Sequence, residues 1–411
     1  MLVTSGTLGD IYPFLKLAVA LIERGNRVTF LGSGPHADYV RKKGVPFHSI
    51  FSNEEFSQII SESDLWHPQK GARIVFEAIS RRIDPILDFV AGLSADQALT
   101  FICHPLVLPC VALVGANRVG VLIVGAYLAP SSLRSYCDPM TLGVLRIPHW
   151  MPFFLRRWMW QLADKYYIDP FIVPALNEAR KLKGLPPVSH FFEHMQSIPD
   201  LSVTFFPCWF SETRSDWPQP MYRVNFPLYD PNPVNHFSDE LNLFLMAGDA
   251  PIIFTPGTGN RHATNYFKIA LQASVLLGKR AIFLTKYPEQ IPIDLPSTVI
   301  WQEYLPLHQL LPKAAVLVHH GGIGTVAEAL RAGVPQLIIP LAFDQFDNAA
   351  CVERLGAGVS LLHTSLSVDR LIKKLRELFS SDKVAAHCEL AASRFADGDK
   401  MDSLCETIEA L

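Results

Sequence analysis

Cysteine is sparse in this chain, and what there is builds nothing. The seven residues are Cys103, Cys110, Cys137, Cys208, Cys351, Cys388 and Cys405. The number is odd, no C-x-x-C occurs, and no spacing fits a metal site, so free thiols in a reducing compartment are expected. Basic runs are missing too. The formal net charge is −3, and no lysine- or arginine-rich stretch could follow a polyanion, so nothing points to nucleic acid. Long apolar runs are absent. A membrane span needs about 20 uninterrupted apolar residues. The most apolar stretch, Ala98–Pro130, is broken by His104, Pro105, Pro109, Asn117, Arg118 and several glycines. No basic leader precedes the first apolar strand, so the cytoplasm is the expected place. There is no internal repeat and no low-complexity tract. Hydrophobic residues are plentiful, at 49 % of 411. That is too long for one core and apolar enough for two.

Strand and helix patterns alternate over the first 130 residues. Leu2–Ser5, Arg27–Leu31, Pro46–Ile50, Leu99–Cys103 and Val121–Gly125 read as strands. Pro13–Arg24, His36–Lys43 and about Leu106–Asn117 read as helices. Such alternation predicts a parallel sheet with helices on both faces. Residues 131–200 turn helical and aromatic, and strand signals return at Leu201–Phe205. Prolines cluster at Trp217–Pro220 and Phe226–Pro233, which suggests a domain boundary near residue 230. A second alternating series follows. Ile252–Thr255, Ala281–Leu284, Thr298–Trp301, Ala315–Val318 and Gln336–Pro340 are its strands, with helices at Asn265–Leu277, Thr325–Ala332 and after Asp347. The expectation is an α/β chain with two doubly wound domains, 1–228 and 229–395, facing a central cleft, and a last helix, 396–411, packing back on the first domain. Ligands of such sheets bind at the carboxyl ends of strands.

One segment is more informative than the rest. Val316-Leu317-Val318-His319-His320-Gly321-Gly322-Ile323-Gly324-Thr325-Val326-Ala327-Glu328 reads as strand, tight glycine turn, helix. The turn exposes backbone N–H groups at the positive end of a helix, a ready site for phosphate or diphosphate. Taken alone, Gly322-x-Gly324-x-x-Ala327 also fits the dinucleotide pattern. Asp344 would then be the ribose ligand of an NAD-dependent oxidoreductase, but it follows its strand in a loop, and the two histidines are foreign to that pattern.

His320–Thr325, followed by Pro340 and Asp344-Gln345-Phe346-Asp347-Asn348-Ala349, resembles the nucleotide-sugar signature of family-1 glycosyltransferases, which have the GT-B fold. Gly6-Thr7-Leu8-Gly9-Asp10-Ile11-Tyr12-Pro13 resembles the first loop of the bacterial and sterol-type members. Leu65–Pro68, Asp216–Pro220 and Phe226–Asp230 resemble the B chains of the rhamnosyltransferases of bacterial rhamnolipid synthesis.

The resemblance implies roles. Asp10 would be the base that takes a proton from the acceptor hydroxyl; the alternative reading is a cap for a helix starting near Tyr12. His320, Gly322, Gly324 and Thr325 would hold the donor diphosphate, with Thr258, after Gly257, as a further phosphate contact. Glu328 would face the ribose, Asp344 and Gln345 the sugar hydroxyls, and Tyr304 and Leu305 the nucleobase. His319 is expected to be structural, Trp301 core, and His67, His104 and His236 structural. The acceptor side is vague. The aromatic run 148–160, with Trp150, Phe153 and Phe154 as candidates, would line an acceptor pocket, touch a membrane surface or fill a helical core. The implied activity is inverting transfer from a nucleoside-diphosphate sugar, of dTDP-rhamnose or UDP-glucose type, to a hydroxyl of a hydrophobic acceptor such as a hydroxy fatty acid dimer. No metal and no cofactor are expected. The expected place is the cytoplasm, free or at the inner face of the membrane. A binding protein that keeps the donor site without transfer is the remaining alternative, against which Asp10 and the His320 motif stand together.

Overall fold

Buried parallel strands read as continuous apolar runs because both faces are covered, and such runs carry this fold. The structure, a computed structural model, describes all residues except Gln69, Ala95, Asp96, Asn117, 139–146, His149 and 230–236. Its described residues divide into two compact units, Met1–Pro227 with Asp399–Leu411, and Leu228–Gly398.

In the first unit, β1 (Leu2–Val3), β2 (Phe30–Ser33), β3 (Phe47–Phe51), β4 (Leu99–Cys103), β5 (Val121–Tyr127), β6 (Leu201–Thr204) and β7 (Met221–Arg223) form one sheet. Its order is β3-β2-β1-β4-β5-β6-β7, and every pairing is parallel. The second unit holds β8 (Ile252–Thr255), β9 (Ala281–Leu284), β10 (Val299–Gln302), β11 (Val316–His319), β12 (Gln336–Ile338) and β13 (Gly358–Ser360). These run in the order β10-β9-β8-β11-β12-β13, again all parallel. In each sheet the chain starts in the middle, works outward to one side, then restarts beside its first strand. The crevice between the two restarting neighbours, β1 and β4 in one unit and β8 and β11 in the other, is where such folds take ligands.

Helices cover both faces. In the second unit Ile252, Phe254, Phe283 and Val318 point into one core with Phe267 and Leu375, while Ile253, Ile282 and Leu317 point into the other with Leu310 and Ala329. Alternate strand residues face opposite ways, which divides one apolar run between two cores. In the first unit the helices Phe153–Ala163, Asp169–Leu182 and Phe191–Ser197 occupy the stretch where the alternation lapses. Ile172, Leu176 and Phe191 pack with Phe101 of β4 and Val111. The final helix, Met401–Glu409, lies against the helix Leu8–Glu23 of the same unit. The Arg24 guanidinium reaches the Glu409 carboxylate at 2.7 Å, Asn26 Nδ2 reaches it at 2.6 Å, and Lys16 pairs with Asp399.

Several boundaries differ from the sequence expectation. The first helix begins at Leu8, not Pro13. Proline is well suited to a helix start, but the start is supplied upstream, where Thr7 N–H donates to Asp10 Oδ2 at 2.9 Å and the 8–23 helix turns on that bond. Pro13 is therefore inside the helix. The helix after β11 begins at Ile323 rather than Thr325, and the helix after β12 at Gln345 rather than beyond Asp347. Of the proline-rich segment Phe226–Pro233, residues 230–233 lie outside the described residues, as does His236. Among the described residues no helix is long and apolar enough to cross a membrane.

Candidate active site

The restart of the second unit places two loops side by side. β8 and β11 are register neighbours to their last residues, Thr255 opposite His319. The chain leaves β8 through Gly257 and Thr258, and leaves β11 through His320 to Thr325. The two histidines go opposite ways, as consecutive residues at a strand end must. His319 is fully buried. Its Nδ1 accepts from the Gly321 N–H at 3.2 Å and its Nε2 donates to Gln336 Oε1 at 3.0 Å. Burial pulls its pKa down to about 3. It is a neutral strut for the glycine turn.

His320 faces the other loop. Its ring is held between two glycines. A Cβ on Gly257 would stand 2.7 Å from His320 Cε1, and one on Gly322 would stand 2.6 Å from Nε2. No side chain larger than hydrogen fits at either position without moving the ring. Gly257 also has φ +92°, a conformation that favours glycine. Burial lowers the His320 pKa to about 4, so the ring is neutral near pH 7. Its Nδ1 is buried and has no hydrogen-bond partner among the described residues. A neutral imidazole so placed can offer an N–H to an anion without carrying a charge of its own.

The helix Ile323–Ala332 starts directly behind this ring. Gly322 caps it with backbone alone, no side chain accepts from its first turn, and that turn holds no acidic residue. Its leading N–H groups therefore point forward without a side-chain partner at the positive end of the helix. A Cβ on Gly324 would meet nothing within 4 Å, so glycine here leaves space beside the N–H groups and is not demanded by packing. Thr325 is in the same first turn, half-buried. Glu328 lies one turn further along and pairs with Arg331.

A third loop joins the same edge. Asn348, fully buried, donates from Nδ2 to Gly321 O at 2.9 Å and to Asp344 Oδ2 at 2.7 Å. One amide thus ties the glycine turn to Asp344. Burial raises the Asp344 pKa to about 6, against the opposing hydrogen bond from Asn348. Phe343, just before it, has φ +57°, rare for a bulky residue and a cost of about 1–3 kcal/mol that the loop must offset elsewhere. Gln345 is buried, and its Oε1 accepts from Leu341 N–H at 2.8 Å and Ala342 N–H at 3.1 Å. Its carbonyl end therefore shapes its own loop, and only its NH2 end remains to meet a ligand.

The structure thus brings Thr258, His320, Gly322, Gly324, Thr325, Asp344 and Gln345 to one edge, with Glu328 one helical turn behind. Tyr304 and Leu305 follow β10, two strands out from β8. Tyr304 is exposed, while Leu305 packs against the core. Trp301 is a core-side residue whose Nε1 donates to Thr285 O at 2.8 Å. His67 Nδ1 accepts from Lys70 N–H, and half-buried His104, its pKa lowered to about 4 by desolvation, accepts from Leu106 N–H.

In the first unit Asp10 lies in the opening turn of the helix after β1, not in the loop before it. Both Thr7 N–H, at 2.9 Å, and Thr7 Oγ1, at 3.3 Å, donate to its Oδ2. Gly6, φ +139°, crosses so close that a Cβ there would fall 2.2 Å from Asp10 Oδ2. Buried His36 holds the turn from behind, its Nε2 donating to Gly6 O at 3.1 Å. Trp150, Phe153 and Phe154 are on the outer surface of this unit, and Phe153 meets the Tyr136 ring edge-on. No local pattern pointed to His36 or Gln336, and none assigned Gly257 or Asn348 the contact it makes. Each acts on a residue 17 to 63 positions away, through contacts that no local pattern records.

Comparison with known proteins adds to this geometry. Residues 1–100 match the glycosyltransferase family 28 N-terminal domain. Residues 284–402 match the erythromycin biosynthesis protein CIII-like C-terminal domain. Glycosyltransferase GtfE of Amycolatopsis orientalis is 28 % identical over 364 residues, covering 88 % of this chain and 85 % of its own length. The O-mycaminosyltylonolide 6-deoxyallosyltransferase of Streptomyces fradiae is 24 % identical, covering 99 % and 96 %. Among solved structures, the kitacinnamycin glycosyltransferase superposes with TM-score 0.74 at 18 % identity, covering 100 % and 97 %. The spinosyn rhamnosyltransferase SpnG, complexed with thymidine diphosphate, superposes with TM-score 0.68 at 20 % identity, covering 99 % of each chain. Two parallel α/β domains of the GT-B type, family matches at both ends and relatives along its whole length agree: this chain is a glycosyltransferase of the GT-B superfamily, an enzyme class that draws on nucleotide-sugar donors.

Proposed function

We propose that the protein moves a sugar, with inversion, from a nucleoside-diphosphate sugar of dTDP-rhamnose or UDP-glucose type to a hydroxyl of a hydrophobic, lipid-like acceptor such as a hydroxy fatty acid dimer. One observation carries the donor half: an uncapped helix N-terminus at the β8–β11 crevice, faced by the neutral ring of His320. In the proposed step Asp10 takes the proton of the acceptor hydroxyl, and the freed oxygen attacks the anomeric carbon. The bond from that carbon to the diphosphate oxygen breaks. Charge grows on the leaving diphosphate, where preorganised N–H groups at Gly324 and Thr325, with His320, stabilise it most. Thr258 is a further phosphate contact. Glu328 serves the ribose, Asp344 and the amide of Gln345 serve sugar hydroxyls, and Tyr304 with Leu305 serves the base. No metal takes part.

The 1–228 portion is the proposed acceptor side, with Trp150, Phe153 and Phe154 meeting an apolar acceptor or the membrane surface that carries it, and 229–395 the donor side. The likeness of Leu65–Pro68, Asp216–Pro220 and Phe226–Asp230 to rhamnolipid rhamnosyltransferases favours rhamnose and a fatty acceptor. Thymidine diphosphate is bound in SpnG, which makes dTDP the first nucleotide to try. Such an enzyme works in the cytoplasm or at the membrane face where its acceptor is found.

The test is thermal stabilisation by dTDP, UDP, GDP and NAD at equal concentration. A ligand that binds only the folded state stabilises it by about 2.7 kcal/mol at a hundred times its Kd. A shift with dTDP, or with UDP, is the expected result. A shift with NAD alone would make Asp344 a ribose ligand and overturn the proposal.

A further inference from the structure

The helix Phe153–Ala163 and the single π-turn after it, Asp164–Ile168, show solvent a face of unusual composition. Trp150 is 82 % exposed, Phe154 68 %, Trp158 56 %, Tyr166 59 % and Tyr167 69 %. Phe154 and Trp158 are four positions apart, hence on one helical stripe. Beneath them the segment is firmly anchored. Trp160 is fully buried, and the Arg134 guanidinium lies between its ring, at 4.6 Å, and that of Phe192, at 4.2 Å. Arg134 also pairs with buried Asp164. The exposed rings therefore project from a rigid base.

The charges sort by sign. Residues 150–167 hold four charged side chains: Arg156, Arg157, Asp164 and Lys165. Asp164 is buried in its ion pair, and Arg156 is turned inward, donating to Met151 O at 2.9 Å and Tyr136 O at 2.9 Å. The two that reach solvent, Arg157 and Lys165, are both cationic, in a chain whose net charge is −3. Glu193, 3.5 Å from the Tyr136 hydroxyl, marks the flank. Tryptophan, tyrosine and phenylalanine among cations, with no exposed acid within the segment, is the composition that sits at a lipid–water interface. A docking face for another protein has less need of one sign of charge.

We propose that this face binds the surface of an anionic lipid bilayer, with Trp150, Phe154, Trp158, Tyr166 and Tyr167 entering the headgroup region and Arg157 and Lys165 meeting lipid phosphates. The inference rests on the proposed lipid-like acceptor, which an enzyme seated on the bilayer would draw directly from it.

The test is co-sedimentation of the full chain with vesicles of equimolar phosphatidylglycerol and phosphatidylcholine, and with phosphatidylcholine alone. Wild type is expected to pellet with the anionic vesicles at low salt and less at high salt. The double substitution Phe154→Ser with Trp158→Ser should lower partition about tenfold. Arg157→Glu with Lys165→Glu should lower it on anionic vesicles. Failure of wild type to pellet, equal pelleting on neutral vesicles, or a serine variant that pellets like wild type would each overturn the proposal. So would a concentration-dependent dimer that the serine variant abolishes, since the face would then belong to a second copy. Unchanged stabilisation of the variants by dTDP shows that they fold. If dTDP fails to stabilise wild type while the vesicle result stands, the donor proposal falls and the lipid surface survives.

Discussion

After β1 and after β11 the chain does the same thing. A strand at the middle of a parallel sheet ends in a glycine with positive φ, Gly6 at +139° and Gly321 at +96°, and a helix begins. A histidine stands close to each turn, His36 on Gly6 O and His320 against Gly322. The finish differs. In the first unit the helix start is closed by its own carboxylate, with Asp10 Oδ2 accepting from Thr7. In the second it is left to backbone, with no acid in its first turn and a neutral ring alongside. A helix start carries roughly half a positive charge. When a side chain supplies the negative partner, the turn becomes a fixed carboxylate at a crevice. When none does, the turn attracts an anion from outside. One backbone device thus yields two chemistries, and three or four residues decide which.

Removing the carboxylate is the largest break of this comparison. Asp10→Asn keeps an acceptor for Thr7 but not a base, so transfer should fall by about 10²–10⁴-fold, with dTDP stabilisation unchanged. Transfer at near wild-type rate would remove Asp10 from the chemistry.

The second break contrasts two glycines of the other turn. In Gly322→Ala the new methyl meets the His320 ring, which Gly257 blocks from retreating, at a cost of about 1–3 kcal/mol and with weaker nucleotide binding. In Gly324→Ala the methyl meets no protein atom and improves helix propensity, so stability should hold or rise by about 0.5–1 kcal/mol. Nucleotide binding should nevertheless fall, because the methyl enters the space left beside the N–H groups. Thermal melts with and without dTDP separate the two. Full dTDP binding by Gly324→Ala would mean that the diphosphate does not use this helix start.

The last expected effect, at Asp344, is on stability alone. Its pKa is raised from 3.8 to about 6. A raised folded value means that the folded state holds the proton more tightly than the unfolded chain. The stabilisation is complete below pH 3.8 and is lost as pH rises through about 6. Asp344→Asn removes that loss, so at pH 7 the variant should be more stable by about 1–2 kcal/mol, after discount for its partial exposure. Its stability should also vary less between pH 4 and 6. A variant less stable than wild type at pH 7 would show that the carboxylate is held by more than Asn348.

Particular elements show what was legible in the residues. Leu99–Cys103, Ile252–Thr255 and Ala281–Leu284 fall where their apolar runs begin and end, because a strand covered on both faces must be apolar throughout and turn residues must bound it. Helix starts were less legible. Pro13 outweighed the Thr7–Asp10 bond as a signal, although that bond sets the boundary, and it requires the chain to be already turned. The strand, glycine turn and helix after β11 were legible, but the turn's packing against Gly257 was not.

By itself, then, the sequence determined the alternation that makes two parallel sheets, the order of strands along the chain, and the uncapped glycine turn between His320 and Thr325. These depend on residues within a few positions of one another. Tertiary structure alone decided that Gly257 closes on His320, that Asn348 joins Gly321 to Asp344, that His36 supports Gly6, and that Trp158, Tyr166 and Tyr167 face water while Trp160 does not. Those outcomes depend on which distant segments share a volume. A one-dimensional pattern does not record shared volume, and only the packed chain supplies it.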